Sequence, residues 1–187
     1  LEFRRVLFRS VVVIPVKSFS LAKGRLRQHL GEEAATALAR SLATAVVRAA
    51  HPRSVVVVTN DHDVSEWAVS LGARVVLQHA EGLNAGVHEA YQTVSSGTDY
   101  VIIAHGDLAN PQGLGSSAID DGITLFSDHH GTGTNVLALP SGLDFVFHYG
   151  PDSLRRHVAE AERLQLKFSV VSDSPWAFDI DEVEDLR

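Results

Sequence analysis

Short apolar runs rich in β-branched residues alternate along this chain with stretches of helical period, and that alternation restricts the fold more than any other feature. Residues 11–16 (VVVIPV), Ser54–Thr59, Arg74–Leu77 and Tyr100–Ala104 read as strands. Residues 11–16 and Ser54–Thr59 are apolar on both faces, as parallel strands covered by helices on each side must be. Between the strands, Glu32–Ala50 repeats Leu38, Leu42, Ala45, Val46 and Ala49 at helical spacing, with acids in its first turn. Residues 63–71 predict a short helix closed by Gly72, and 84–95 a helix ended by Gly97. Farther on, 123–126, 135–140, 145–148 and Phe168–Val171 predict strands, and 151–164 a helix with proline at its first position. Strands alternating with helices define an α/β chain, expected as a three-layer α/β/α sandwich around a mostly parallel, Rossmann-like sheet.

A chain of 187 residues fits one domain with a sizeable core. Its net charge of −7 argues against broad nucleic-acid binding, so any phosphate ligand must be held by local cations or by metal. The absence of cysteine excludes disulfides and thiolate metal sites. No apolar run is long enough for a bilayer and no leader pattern is present, so a cytoplasmic protein without membrane partner is expected. The basic, unpatterned residues 1–10 (LEFRRVLFRS) read as an assembly scar outside a single domain of 11–187. The chain stops at 185–187 where a helical pattern begins, which reads as a truncated end.

In such sheets ligands bind beyond the carboxyl ends of the strands. The loops after residues 16, 77, 104 and 171 are therefore the places for chemistry. The first carries Lys17, Lys23 and Arg25, cations suited to a triphosphate and its leaving pyrophosphate, although a solvated basic loop has the same composition. It has neither the glycines of a P-loop nor those of a dinucleotide fingerprint. Asp107 directly follows a buried strand, and Asp179 and Asp181 share one side of an extended segment. Together the three carboxylates suit Mg2+; singly each reads as a turn or capping residue. The hydroxyls of Thr134 and Ser153, the latter at a helix start, suit an anion, or ordinary capping. Residues 81–86 (EGLNAG) open another helix, with glycines that let a flat base approach the backbone or form a plain turn. His129 and His130 point apart on an extended chain and lack a third ligand at metal spacing, so no zinc site is expected.

Taken in order, the segments Pro15-Val16-Lys17 with Ala22-Lys23-Gly24-Arg25-Leu26, Gly82-Leu83-Asn84, Asp107-Leu108, 131–135 (GTGTN), Gly150-Pro151-Asp152-Ser153 and Asp179-Ile180-Asp181 resemble a known family. It is that of the 2-phospho-L-lactate and phosphoenolpyruvate guanylyltransferases of coenzyme F420 biosynthesis, within the MobA-like nucleotidyltransferases. The resemblance covers residues 11–186 and implies a mixed sheet of the nucleotide-diphospho-sugar transferase-like fold. It further implies GMP transfer from GTP to phosphoenolpyruvate or 2-phospho-L-lactate, with pyrophosphate released. In that scheme Lys17, Lys23 and Arg25 hold the triphosphate and, with Asp107, form the catalytic group. Leu83 and Asn84 lie against the base, Asp107, Asp179 and Asp181 carry Mg2+, and Thr134, Gly150 and Ser153 hold the acceptor. A homodimer is compatible with the resemblance.

The chain departs from the family pattern in three places. Ala109 stands where the family has proline, which predicts a looser turn after Asp107. Asp152 stands where glycine is usual, adding negative charge beside the anion pocket, and 110–122 is glycine-rich where a helix is usual. Other readings are a related nucleotidyltransferase with a different phosphorylated acceptor, a nucleotide-sugar glycosyltransferase, and a nucleotide-binding regulator without turnover. The missing Gly-Gly-x-Ser-x-Arg loop, the C-terminal position of the Asp-x-Asp pair and the intact carboxylates argue against these in turn.

Overall fold

A computed structural model describes residues 9–186; of the segment read as a scar, 1–8 lies outside the described residues, whereas Ser10 opens the first strand. In chain order the elements are β1 (Ser10–Pro15), α1 (Gly24–Leu30), α2 (Glu32–Ala50), β2 (Ser54–Thr59), α3 (His62–Ser70), β3 (Arg74–Leu77), α4 (Leu83–Ser95), β4 (Tyr100–Ala104), β5 (Ile123–Ser127), β6 (Thr134–Pro140), α5 (Ser153–Arg163) and β7 (Phe168–Val171). The strands form one sheet in the order β3-β2-β1-β4-β6-β5-β7. Neighbours are parallel except at β6, which runs antiparallel to both β4 and β5. The sheet is thus mixed, as the resemblance implies.

Alternation along the strands divides the core in two. Val12, Ile14, Val55, Val57, Ile102 and Ala104 pack with Ala39, Ala43, Val46 and Val47 of α2 and Trp67 of α3. Val11, Val13, Val56, Val58, Val101 and Ile103 face the other way, onto Val87, Ala90 and Tyr91 of α4 and Ala161 of α5. Helices on both faces complete the three layers. No helix among the described residues is long and apolar enough to cross a membrane.

Three expectations need correction. The first loop is shorter than its polar sequence suggests, because Gly24–Leu30 closes into α1 with Leu26 buried. Helix α5 starts at Ser153 rather than at Pro151, since Asp152 takes a left-handed conformation (φ 56°). Residues 145–148 form no strand, although Phe145, Phe147 and Tyr149 alternate into the core. Their backbone amides are taken by side chains: Val146 N donates to Glu160 Oε1 (2.8 Å), His148 N to His157 Nε2 (2.9 Å) and Tyr149 N to Asn84 Oδ1 (2.6 Å). A segment whose donors are satisfied this way has none left for a ladder. The stretch 110–122 contains turns and no helix, as its glycines predict.

His157 is fully buried, and burial, reinforced by His148 and His105 and opposed by Glu160, pushes its ring down from 6.5 to about 3. The unfolded chain therefore takes up this proton first as pH falls. The stability contributed is present above pH 6.5 and is lost as pH drops below it. We expect stability to fall by about 1.4 kcal/mol per pH unit from this group. Other groups that titrate in this range, the raised Asp179 carboxyl among them, are common to the parent and a His157→Phe variant, so the difference between the two isolates this ring. Denaturant melts from pH 6.5 down to 4.5 check this, and the slope should flatten in His157→Phe; an equal slope in both proteins would disprove the assignment.

Candidate active site

From β1 the chain moves outward to β2 and β3, then returns to place β4 on the other side of β1. The carboxyl ends of β1 and β4 therefore flank a topological switch point, where a parallel sheet opens a crevice. A cavity of about 510 Å³ lies there, lined by Pro15–Lys17, Phe19, Lys23, Asn60, Gln78, Gly82, Leu83, His105–Asp107, Asp179 and Asp181 among others.

The carboxylates meet through backbone pairing of distant segments. Leu108 and Asp179 form an antiparallel bridge, with Ala109 N donating to Phe178 O (2.8 Å) and Ile180 N to Asp107 O (3.1 Å). The departure at residue 109 thus tightens this turn rather than loosening it, because proline has no amide to donate to Phe178. Strand-like alternation then turns Asp179 and Asp181 toward Asp107, and one oxygen of each lies within 4.8 Å of the others. Asn135 holds the incoming segment, donating from Nδ2 to the carbonyls of Trp176 (3.0 Å) and Ala177 (3.2 Å) and to Asp179 Oδ1 (3.3 Å). Burial, then the charges of Asp107 and Asp181, raise the Asp179 carboxyl above the ordinary range, against the pull of His105 and Asn135. An all-oxygen, carboxylate donor set fits a hard divalent cation such as Mg2+.

The basic residues separate into distinct roles. Lys23 precedes α1 in a left-handed conformation (φ 56°, ψ 46°) that turns its side chain inward. Its Nζ lies 2.6 Å from Asp107 Oδ2 and 2.9 Å from Asp181 Oδ1. Burial would lower this ammonium, but the two carboxylates outweigh it and the group is raised. Lys17 lines the crevice and is exposed. Arg25 does not line it; exposed on α1, it pairs with Glu182 Oε1 at 2.5 Å, beside Asp181. The three cations do not converge on one point, since helix α1 carries Arg25 to the rim.

Leu83 lines the crevice, half-exposed at the start of α4. Asn84 does not: its amide grips the backbone of Tyr149, donating to the carbonyl (3.0 Å) and accepting from the amide. Thr134, Gly150 and Ser153 come together in a cluster of their own. Ser153 Oγ accepts from Thr134 N (3.0 Å), Ser153 N donates to Gly150 O (3.2 Å), and Gly150 takes a φ of 117° that no other residue adopts easily. Both hydroxyl residues are buried and lie outside the crevice lining. The two sites are joined through His105, whose amide donates to Asn135 O (3.0 Å) and whose ring lies 5.3 Å from that of Tyr149.

Sequence reasoning gave no role to Asn60, Gln78, His105 or Asn135, although Asn135 lies in the 131–135 segment that carries the resemblance. Asn60 directly follows β2 and Gln78 directly follows β3, so position alone could have found them. Gln78 Nε2 donates to Ala80 O (2.5 Å) and Gly82 O (2.9 Å), folding the turn that presents Leu83.

Carboxylates gathered with a lysine at the switch point of a mixed α/β sheet suit the binding of a phosphorylated ligand and a cation. The fold is shared with a nucleotidyl transferase from Methanothermobacter thermautotrophicus, which superposes over 95% of this chain and 94% of its own, with TM-score 0.66 at 17% identity. A crystal structure from Desulfovibrio desulfuricans G20 superposes over 95% of this chain and 84% of its own, with TM-score 0.78 at 18% identity. The chain belongs to the guanylyl transferase CofC-like family, whose family model matches residues 10–187. It is 33% identical to a phosphoenolpyruvate guanylyltransferase of Chloroflexus aggregans, covering 94% of each chain. It is 30% identical to a 2-phospho-L-lactate guanylyltransferase of Methanothermobacter thermautotrophicus, covering 95% of this chain and 82% of that one.

Proposed function

We propose that this protein transfers GMP from GTP to the phosphate of a three-carbon phosphoacid, phosphoenolpyruvate in the first place and 2-phospho-L-lactate as its near analogue. The observation that carries this reading is the crevice floor, where Asp107, Asp179 and Asp181 meet around Lys23. An oxygen of the acceptor phosphate bonds to the α-phosphorus as the bond to pyrophosphate breaks. A phosphate nucleophile is already ionised near neutral pH, so positioning and charge neutralisation supply the catalysis and no side chain must remove a proton. Asp107, Asp179 and Asp181 would hold Mg2+, which polarises phosphate oxygens when bound. Lys17 and Lys23 offset charge on the triphosphate, with Arg25 acting from the rim. Leu83, presented by the Gln78 turn, supplies an apolar surface for the base. Asn84 acts one step back, by holding Tyr149. Thr134, Gly150 and Ser153 form the subsite for the acceptor's anionic groups.

The preference for phosphoenolpyruvate rests on relatives of that name at 33% and 32% identity. Mass spectrometry of products, offering both acceptors and all four nucleoside triphosphates with Mg2+, tests the reading. The expected result is a guanylylated phosphoenolpyruvate with equimolar pyrophosphate. Product from 2-phospho-L-lactate alone would move the acceptor assignment, and tight GTP binding without product from any pair would leave a regulator.

A further inference from the structure

Helix α5 meets the rest of the protein with a polar stripe. Ser153, His157 and Glu160 recur at helical spacing and all are buried, where a helix covering a sheet ordinarily presents aliphatic residues. Each of the three accepts from a backbone amide. Ser153 Oγ takes Thr134 N (3.0 Å), His157 Nε2 takes His148 N (2.9 Å), and Glu160 Oε1 takes Val146 N (2.8 Å) while pairing with Arg163. The other ring nitrogen of His157, Nδ1, lies 3.1 Å from Thr134 Oγ1.

These contacts fix where protons sit. A backbone amide only donates, so Nε2 must be the acceptor and a neutral ring carries its proton on Nδ1. That proton is donated to Thr134 Oγ1. The Thr134 hydroxyl has thus received one hydrogen bond, and the Ser153 hydroxyl another from Thr134 N. Each keeps its own O–H proton, and among the described residues no acceptor takes either. Two buried hydroxyls left as donors side by side are suited to an anion.

We propose that His157 is a positioning residue for the acceptor subsite: held as the Nδ1–H tautomer by His148 N, it turns the Thr134 hydroxyl into a donor toward the acceptor's anionic group. The proposal rests on the reading of Thr134 and Ser153 as acceptor-binding residues. Burial beside His148 and His105 keeps the ring neutral despite Glu160, whose charge is already engaged by Arg163.

The test is a kinetic cycle of Thr134→Val, His157→Phe and the double variant, with acceptor and GTP varied separately. The phenylalanine ring preserves the packing against Phe145 and Tyr149 and removes both nitrogens. Each single variant is expected to raise the acceptor KM about 10-fold, the worth of one hydrogen bond to a charged group, with the KM for GTP unchanged. The double variant should be no worse than Thr134→Val, because His157 acts through that hydroxyl. Effects that multiply, or a parallel rise in both KM values, would make His157 a structural residue and overturn the proposal. If Thr134→Val leaves the acceptor KM untouched, the acceptor subsite itself is wrongly placed and this inference falls with it. Should His157→Phe fail to fold, 15N NMR of the intact protein decides. The ring should be a neutral Nδ1–H tautomer from about pH 5 to pH 8, and the Nδ1 proton should shift when phosphoenolpyruvate is added. An Nε2–H tautomer overturns the proposal.

Discussion

Asp107→Asn is expected to lower pyrophosphate release from GTP by roughly 1,000-fold while the protein remains folded. Asparagine keeps the volume of the side chain and leaves the backbone bond from Ile180 N to Asp107 O in place, so the bridge that carries Asp179 persists. What disappears is one negative charge of the trio, and the charge-assisted bond from Lys23 at 2.6 Å becomes one to a neutral amide oxygen. Lys23 retains Asp181 at 2.9 Å, so no ammonium is stranded, and a loss of about 1 kcal/mol in stability follows from one partly exposed pair. If the three carboxylates hold a divalent cation as proposed, that cation loses a full charge and keeps at most a neutral amide oxygen in place of a carboxylate. Rate and melting temperature measured together across a Mg2+ titration separate the two effects. A variant that turned over at near-native rate at low Mg2+ would remove Asp107 from the metal site.

Much of this could be read from the sequence because short runs rich in β-branched and apolar residues mark strands both at the centre of the sheet and at its edges. Ser54–Thr59, Arg74–Leu77, Tyr100–Ala104 and Phe168–Val171 end where their apolar runs end, and helix α2 spans the residues its period marks. Hidden features depend on partners far away in the chain. The antiparallel direction of β6 is set by its neighbours, since its alternation would be the same in either direction. Residues 145–149 carry a strand's pattern and have no ladder, because α4 and α5 supply the acceptors instead. The same holds in the site. That Asp107 follows a strand, and that Asp179 and Asp181 share a side, are local facts; that the two segments pair is a tertiary one. Lys23 looked like one of three equivalent cations until its left-handed backbone turned it onto the carboxylates. Asn84 belongs to a matching motif and yet spends its amide on Tyr149, which composition could not reveal.

Lys23→Met should cost both turnover and stability, and the two losses should respond differently to Mg2+. The Lys23 side chain is only 5% exposed, while Asp107 and Asp181 keep 28% and 57% of their exposure. Breaking a fully buried pair costs about 3–5 kcal/mol; with solvent still reaching both carboxylates, about 2 kcal/mol is expected here. With the carboxylates ionised, the raised ammonium makes this contribution fully present up to the unfolded value of 10.5 and lost only as pH rises above it, so measurement at neutral pH captures it in full. Without Lys23, Asp107, Asp179 and Asp181 face one another with no built-in cation. Added Mg2+ should therefore raise the melting temperature of the variant more than that of the parent protein, since binding to the folded state now relieves a larger repulsion. Activity should stay low even when stability is restored, because the ammonium proposed to offset phosphate charge is gone. Backbone conformation supplies a control. Methionine at φ 56° retains the left-handed strain that glycine avoids, so Lys23→Gly should be more stable than Lys23→Met by about 1 kcal/mol, with equally poor turnover. Equal responses of parent and variant to Mg2+ would mean that the three carboxylates do not share one cation, and a glycine variant with near-native activity would make Lys23 a scaffold for α1 alone.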